Sequence, residues 1–214
     1  MRMKTSIVPI LLIFIITLQS CKNDIKIENV FEQNVETNTL PGKKHFLEED
    51  DIQIFLPKVF ERYAAAEYET VLDSLVQNKK QFLLERERLK NLRGLKGNNY
   101  IFFAPGVNAT YFVNTIPYAP IRKQDAQKLL GIIRQNQNRA TENTQVEFTK
   151  ITAKYSSLTS AQVFKAIFRV DLKKEKTFYF QHAYFISSNQ KSVLLNLTTP
   201  MDLDLDPYIE KMIF

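Results

Sequence analysis

Tryptophan is absent from this sequence of 214 residues, and it holds one cysteine, two histidines and five glycines. A lone cysteine, Cys21, excludes an internal disulfide and any site built from several thiolates. With so few glycines no phosphate-cradling loop is present, and no Gly-x-Ser-x-Gly, His-x-His or His-Glu-x-x-His pattern occurs. Past residue 18, no run is long and apolar enough to span a bilayer. The net charge of +6 is a mild excess that does not argue for nucleic acid. Of the two histidines, His45 lies in a polar stretch. His182 lies within a strand pattern among aromatics, where a lone histidine is more often packed than catalytic.

What is abundant is phenylalanine and tyrosine, sixteen and nine residues, in a chain that is 44% hydrophobic. That composition suits a strand-rich sheet packed by aromatic rings. The N-terminus has its own pattern. Met1-Arg2-Met3-Lys4 is cationic, and residues 7–18 are apolar apart from Pro9 and Thr17. Twelve helical residues reach about 18 Å, well short of a hydrocarbon core of about 30 Å. This is the length of a secretory signal.

The run closes on Leu18-Gln19-Ser20-Cys21, which resembles the lipobox of bacterial lipoproteins. Gln19 stands where that family usually has a small residue. The resemblance implies that residues 1–20 are removed, that a glyceride is joined to the Cys21 sulfur, and that the new amine is acylated, for example with palmitate. Sulfur suits this role as the strongest side-chain nucleophile, and two or more acyl chains hold a protein stably where one does not. The plainer readings are a signal peptide followed by a free thiol, or an uncleaved anchor. Lys22 follows the cysteine, which by resemblance to enteric lipoproteins points to the outer membrane. Lys22-Asn23-Asp24 is similar to the charged surface-export signals of Bacteroidota lipoproteins. The expected location is therefore the bacterial cell envelope, on the periplasmic face or the cell surface.

Residues 21–51 read as the lipidated cysteine and a flexible tether, polar in composition and ending in the acidic run Glu48-Glu49-Asp50-Asp51. Residues 52–214 read as a single domain. Ile52, Ile54 and Leu56 alternate as a first strand closed by Pro57. From Ala64 the period becomes helical, with Tyr68, Val71, Leu72, Leu75, Phe82, Leu83 and Leu89 on one stripe; the helix runs to Leu92 or breaks near Gln77-Asn78, and Gly94 and Gly97 end it. Residues 100–103 and 110–116 form a hairpin across Pro105-Gly106. A second helix carries Ala126, Leu129, Leu130 and Ile133 on one face. Residues 146–155, 162–170, 177–186 and 192–198 are four strands joined by short polar turns, so neighbours are antiparallel. Asp206-Pro207 starts a closing helix through Tyr208, Ile209, Met212 and Ile213.

Helices set apart from antiparallel strands make an α+β fold, a sheet with flanking helices. The order resembles the PsbP-like sandwich, on the "Ile-Phe-Leu-Pro" opening strand, on Ala183-Tyr184-Phe185-Ile186 followed by Leu194, Asn196 and Thr198, and on the C-terminal helix. The roles of that family vary, so the resemblance implies a fold and no activity.

Four further features are candidates with bland alternatives. The acidic run 48–51 suits calcium or a basic partner, or a solvated leader. The basic end of the first helix, from Lys79 to Lys96, suits anionic head groups, or a solvated face. Asp202, Asp204 and Asp206 alternate as calcium ligands would, or as a charged lead-in to the last helix. Asn108-Ala109-Thr110 and Asn196-Leu197-Thr198 match the glycosylation pattern, which a bacterial host makes coincidental. The expected function is a membrane-anchored, non-enzymatic binding or accessory domain without cofactor or metal. Its expected partners are membrane lipid, through acylated Cys21, and an envelope protein. The alternatives are an immunity-type inhibitor of a secreted toxin, or a hydrolase built around His182.

Overall fold

A computed structural model describes residues 41–76, 81–141, 145–158 and 160–214. The signal, Cys21 and the first part of the tether lie outside the described residues. Among those described are nine strands: β1 (Gly42–Leu47), β2 (Ile52–Pro57), β3 (Glu61–Tyr63), β4 (Asn99–Ala104), β5 (Ala109–Ile116), β6 (Val146–Ser157), β7 (Ala161–Leu172), β8 (Thr177–Ser188) and β9 (Lys191–Thr199). The helices are α1 (Ala65–Val76), α2 (Gln81–Arg93), α3 (Ala126–Thr141) and the single turn α4 (Asp206–Ile209). None of the described helices is long and apolar enough to cross a membrane.

Seven strands form one antiparallel sheet in the order β3-β4-β5-β9-β8-β7-β6. The meander β6 to β9 follows from its alternation and from turns of few residues. Between β8 and β9, Asn189 and Gln190 both take positive φ, the backbone of a tight two-residue hairpin turn. The pairing of β5 with β9, from Thr110 opposite Thr198 to Ile116 opposite Ser192, joins the first hairpin to the meander. β5 is buried at seven of eight positions, the mark of a central strand covered on both faces.

Register assigns the faces. On the first, Ile101, Phe103 and Phe112 pack with Tyr68 and Leu72 of α1 and Leu89 of α2. Farther along the same face, Phe164, Ala166 and Phe168 of β7 meet Leu129, Leu130 and Ile133 of α3. The second face holds Phe102, Tyr111, Val113, Leu195, Leu197, His182 and Tyr184, all buried. It is covered by β1 and β2, which form a separate two-stranded sheet, and by the C-terminal segment. His45 meets Phe102 edge to face at 4.8 Å, and Phe60 meets Tyr111 at 6.1 Å. The α+β sandwich expected from the sequence is therefore present.

Two expectations change, and one left open by the sequence is decided. β2 does not open the main sheet; it pairs with Gly42–Leu47, six residues that read as tether. The polar appearance of β1 comes from its outward residues, whereas His45 and Leu47 point into the core. Of the two readings of the first helix, the broken one holds: α1 and α2 are separate helices, tied by ion pairs from Arg86 to Asp73 and from Arg93 to Glu69. The closing helix ends at Ile209. Ile213 instead bridges to Gln53, with amide-to-carbonyl bonds of 2.8 and 2.9 Å, adding a short third member to the hairpin layer.

The acidic run sits in the β1–β2 turn and is used internally. Glu48 pairs with Arg62 at 2.9 Å. Asp50 accepts from the Tyr100 hydroxyl at 2.5 Å and from the Asn98 amide at 3.2 Å. Lys191 donates to the Asp51 carbonyl at 2.6 Å. These bonds fix the hairpin against the sheet. The Asp50→Ala substitution leaves the buried Tyr100 hydroxyl without its acceptor. It is expected to lower stability by about 2 kcal/mol, read as a shift in the urea unfolding midpoint at unchanged slope.

Candidate functional site

The first face is not fully closed. Between α2 and α3 a cleft of about 200 Å³ opens onto β8 and β9. Its floor carries Gln181 and Asn196, and its walls carry Glu85, Arg88, Asn91 and Gln137. These positions follow from the helical period. Residues 85, 88, 89 and 92 are spaced i, i+3, i+4 and i+7, so Glu85 and Arg88 share the inward stripe with Leu89 and Leu92.

Arg88 and Glu85 form a largely buried pair at 3.2 Å. Arg88 Nη2 donates to the Asn196 carbonyl at 2.9 Å, and its guanidinium lies 4.9 Å from the centre of the Phe112 ring. Thr198 Oγ1 donates to Glu85 Oε2 at 3.3 Å. Glu85 Oε1 and Arg88 Nε are buried with no partner. Across the cleft Gln137 donates to Gln181 at 3.3 Å. The hydroxyls of Tyr179 and Tyr68 are pushed well above the usual tyrosine range, first by burial and then by the Glu85 carboxylate. The arrangement offers amide donors and acceptors, aromatic rings and one ion pair with spare hydrogen-bonding capacity. It is chemically able to hold a small polar molecule.

The residues singled out from sequence fall elsewhere. His182 is completely buried on the second face, between Ile167 of β7 and Leu197 of β9. Neither ring nitrogen has a partner. Burial, and then the charge of Lys165, pushes its pKa down to about 4, against opposing pulls from Asp202, Asp206 and Asp204. His45 is lowered for the same first reason, with Lys43 and Arg62 adding to it. The three aspartates do not form a cation site. Asp206 takes both bonds of the Lys165 ammonium at 2.7 Å and one from the Tyr184 hydroxyl at 3.2 Å, and Asp204 accepts from the Asp206 amide. Among the described residues no group of three His, Cys, Asp or Glu is placed to hold a metal ion.

At the basic end of α2, Arg86 and Arg93 pair with α1 and Arg88 turns inward, so much of its charge is spent within the fold. Lys79 and Lys80 lie outside the described residues. The cleft itself was missed by sequence reasoning, which counted Glu85 and Arg88 as surface charge. Their place on the apolar stripe was the available signal.

No protein-family profile matches the chain, and no curated protein matches it in sequence. In three dimensions it is similar to cyanobacterial PsbP (CyanoP) from Synechocystis sp. PCC 6803, whose solution structure it overlays with a TM-score of 0.53 at 10% identity. The overlay covers 81% of this chain and 92% of that one. At that identity the likeness establishes a PsbP-like fold and nothing about activity.

The buried histidine gives the fold an acid limit. His182 is neutral when folded above pH 4, whereas in the unfolded chain it takes a proton below about 6.5. Protonation therefore favours the unfolded state as pH falls through that window. The stability contribution is fully present above pH 6.5 and is lost by pH 4, at roughly 3 kcal/mol for the whole shift. Urea unfolding at pH 7, 5.5 and 4 is expected to show that loss, and His182→Leu is expected to flatten it. A wild-type acid limb that is unchanged in the variant contradicts the assignment.

Proposed function

We propose that this chain is a lipid-anchored protein of the bacterial cell envelope whose PsbP-like domain binds a partner rather than catalysing a reaction. Leu18-Gln19-Ser20-Cys21, at the end of an apolar run too short to span a bilayer, carries the reading. The sulfur of Cys21 takes the lipid, and Lys22 directs the product to the outer membrane. The compact unit begins at Pro41. Nineteen residues of chain, 22–40, separate it from the anchor, a reach of at most about 70 Å. The cleft between α2 and α3 is the recognition site, supported by unpartnered polar atoms of Glu85 and Arg88 in its walls.

Cells grown with a palmitate analogue are expected to label the wild-type chain and to retain it in the membrane fraction. Cys21→Ser is expected to lose the label and to move most of the protein out of that fraction. Equal membrane retention of both forms, without label in either, rules out lipid anchoring.

A further inference from the structure

The hairpin layer has an inner face packed on the sheet and an outer face that nothing among the described residues covers completely. Its composition is not that of a solvated surface. Register places Lys44 opposite Phe55, Phe46 opposite Gln53, and Gln53 opposite Ile213, all on the outer side. Phe46 is 46% exposed and Ile213 is 58% exposed, so an apolar row runs across the layer. Beside it runs a basic row. The Lys211 ammonium sits 4.8 Å from the centre of the Phe55 ring, with the exposed Lys44 beside the same ring. Lys58 and Val59, both exposed, follow directly from the end of β2 that faces Gly42.

The basic row lies toward the end where the chain enters the domain, and the apolar row of Phe46 and Ile213 lies toward the turn of the hairpin. The Phe55 ring lies over Gly42, where a Cβ would overlap it, and stacks on Tyr208 at 5.7 Å. Tyr208 in turn donates to the Pro41 carbonyl at 3.2 Å. The opposite end of the hairpin, beside Phe46, carries the acidic turn, with Glu48 and Asp50 engaged by Arg62, Tyr100 and Asn98 and with Glu49 and Asp51 exposed. Glu210 is the acidic side chain within the C-terminal stretch of the basic row. The layer is thus polarised, basic where the tether joins and acidic away from it.

We infer that the outer face of β1–β2, with Lys44, Lys58, Lys211, Phe46 and Ile213, rests on an anionic lipid surface. The inference depends on the lipid anchor proposed above, which tethers this entry point to the bilayer by at most about 70 Å of chain. Lysines contact phosphate head groups, while Phe46 and Ile213 enter the interfacial layer. A second, weak contact of this kind complements acyl chains and orients the domain. It places the α2–α3 cleft, which lies on the opposite face of the sheet, away from the membrane.

The test uses the mature chain from position 21 with Cys21→Ser, so that no acyl group contributes. Vesicles are phosphatidylcholine alone, or phosphatidylcholine with phosphatidylglycerol. Binding is expected only to the anionic vesicles and is expected to fade in high salt. Each lysine changed to glutamine is expected to lower the partition constant about fivefold, and the Lys44→Gln, Lys58→Gln, Lys211→Gln triple about a hundredfold. The corresponding triple with arginine is expected to keep binding, and Phe46→Ser to weaken it, with unfolding midpoints recorded for every variant. Equal partition to both vesicles, or a folded glutamine triple that binds as wild type, overturns the inference. Binding that appears only after envelope protein is added to the vesicles also overturns it, in favour of an acidic protein partner. Palmitate labelling of Cys21 is scored separately: a labelled chain that ignores anionic vesicles keeps its anchor and loses this docking face.

Discussion

A sheet that is apolar on both faces must be covered twice, and most of this structure follows from that requirement. β5 and β9 lie near the middle, and their mutual pairing brings together parts of the chain some eighty residues apart. Phe112 on one side and Tyr111 on the other leave neither face free to meet water. α1, α2 and α3 cover the first face. The second is covered by a two-stranded hairpin that cannot be stable alone, held down by Phe60, His45 and the returning C-terminal segment.

Polar groups collect at the seams between sheet and covers, and most are closed by specific partners. Asp50 takes Tyr100 and Asn98 under the hairpin turn. Asp206 takes Lys165 and Tyr184 under the C-terminal turn. Glu85 takes Arg88 and Thr198 beneath α2, and here partnering is incomplete. Removing Asp206, or one member of the Glu85–Arg88 pair, leaves a charge with little access to solvent, which costs more than the intact bond contributes. The incomplete seam coincides with the open cleft, which is why the cleft is the better candidate for recognition than the fully enclosed His182.

The meander was legible because its strands alternate and its turns are short, so each strand had one possible neighbour. The same holds for the hairpin of β4 and β5. The second cover was not legible. β1 carries Lys44 outward and both Lys43 and His45 on the inner side, so its period of two is hidden by polar residue types, and β3 is only three residues long. The C-terminal segment looked helical because Tyr208, Ile209, Met212 and Ile213 have helical spacing, yet the Gln53 bridge won over the helix after Ile209. Glu85 and Arg88 were read by charge when their spacing with Leu89 and Leu92 was the better guide. Acidic residues 48–51 appeared as a solvated run because their partners Arg62, Tyr100, Asn98 and Lys191 are remote in sequence.

The two covers give the domain two unlike sides, one with a polar cleft and one with a basic, partly apolar hairpin face continuous with the tether. The chain has one cysteine, and in the lipid-anchored form proposed above acylation at Cys21 would consume its thiol, so a single added cysteine can carry a unique probe. A fluorophore at Gln53→Cys, on the hairpin face, or at Ile132→Cys, on exposed α3, reports which side meets the bilayer of the lipidated protein. With quenchers attached to lipid, strong quenching at position 53 and little at 132 is the expected result. Equal quenching at both, or stronger quenching at 132, contradicts the two-sided account.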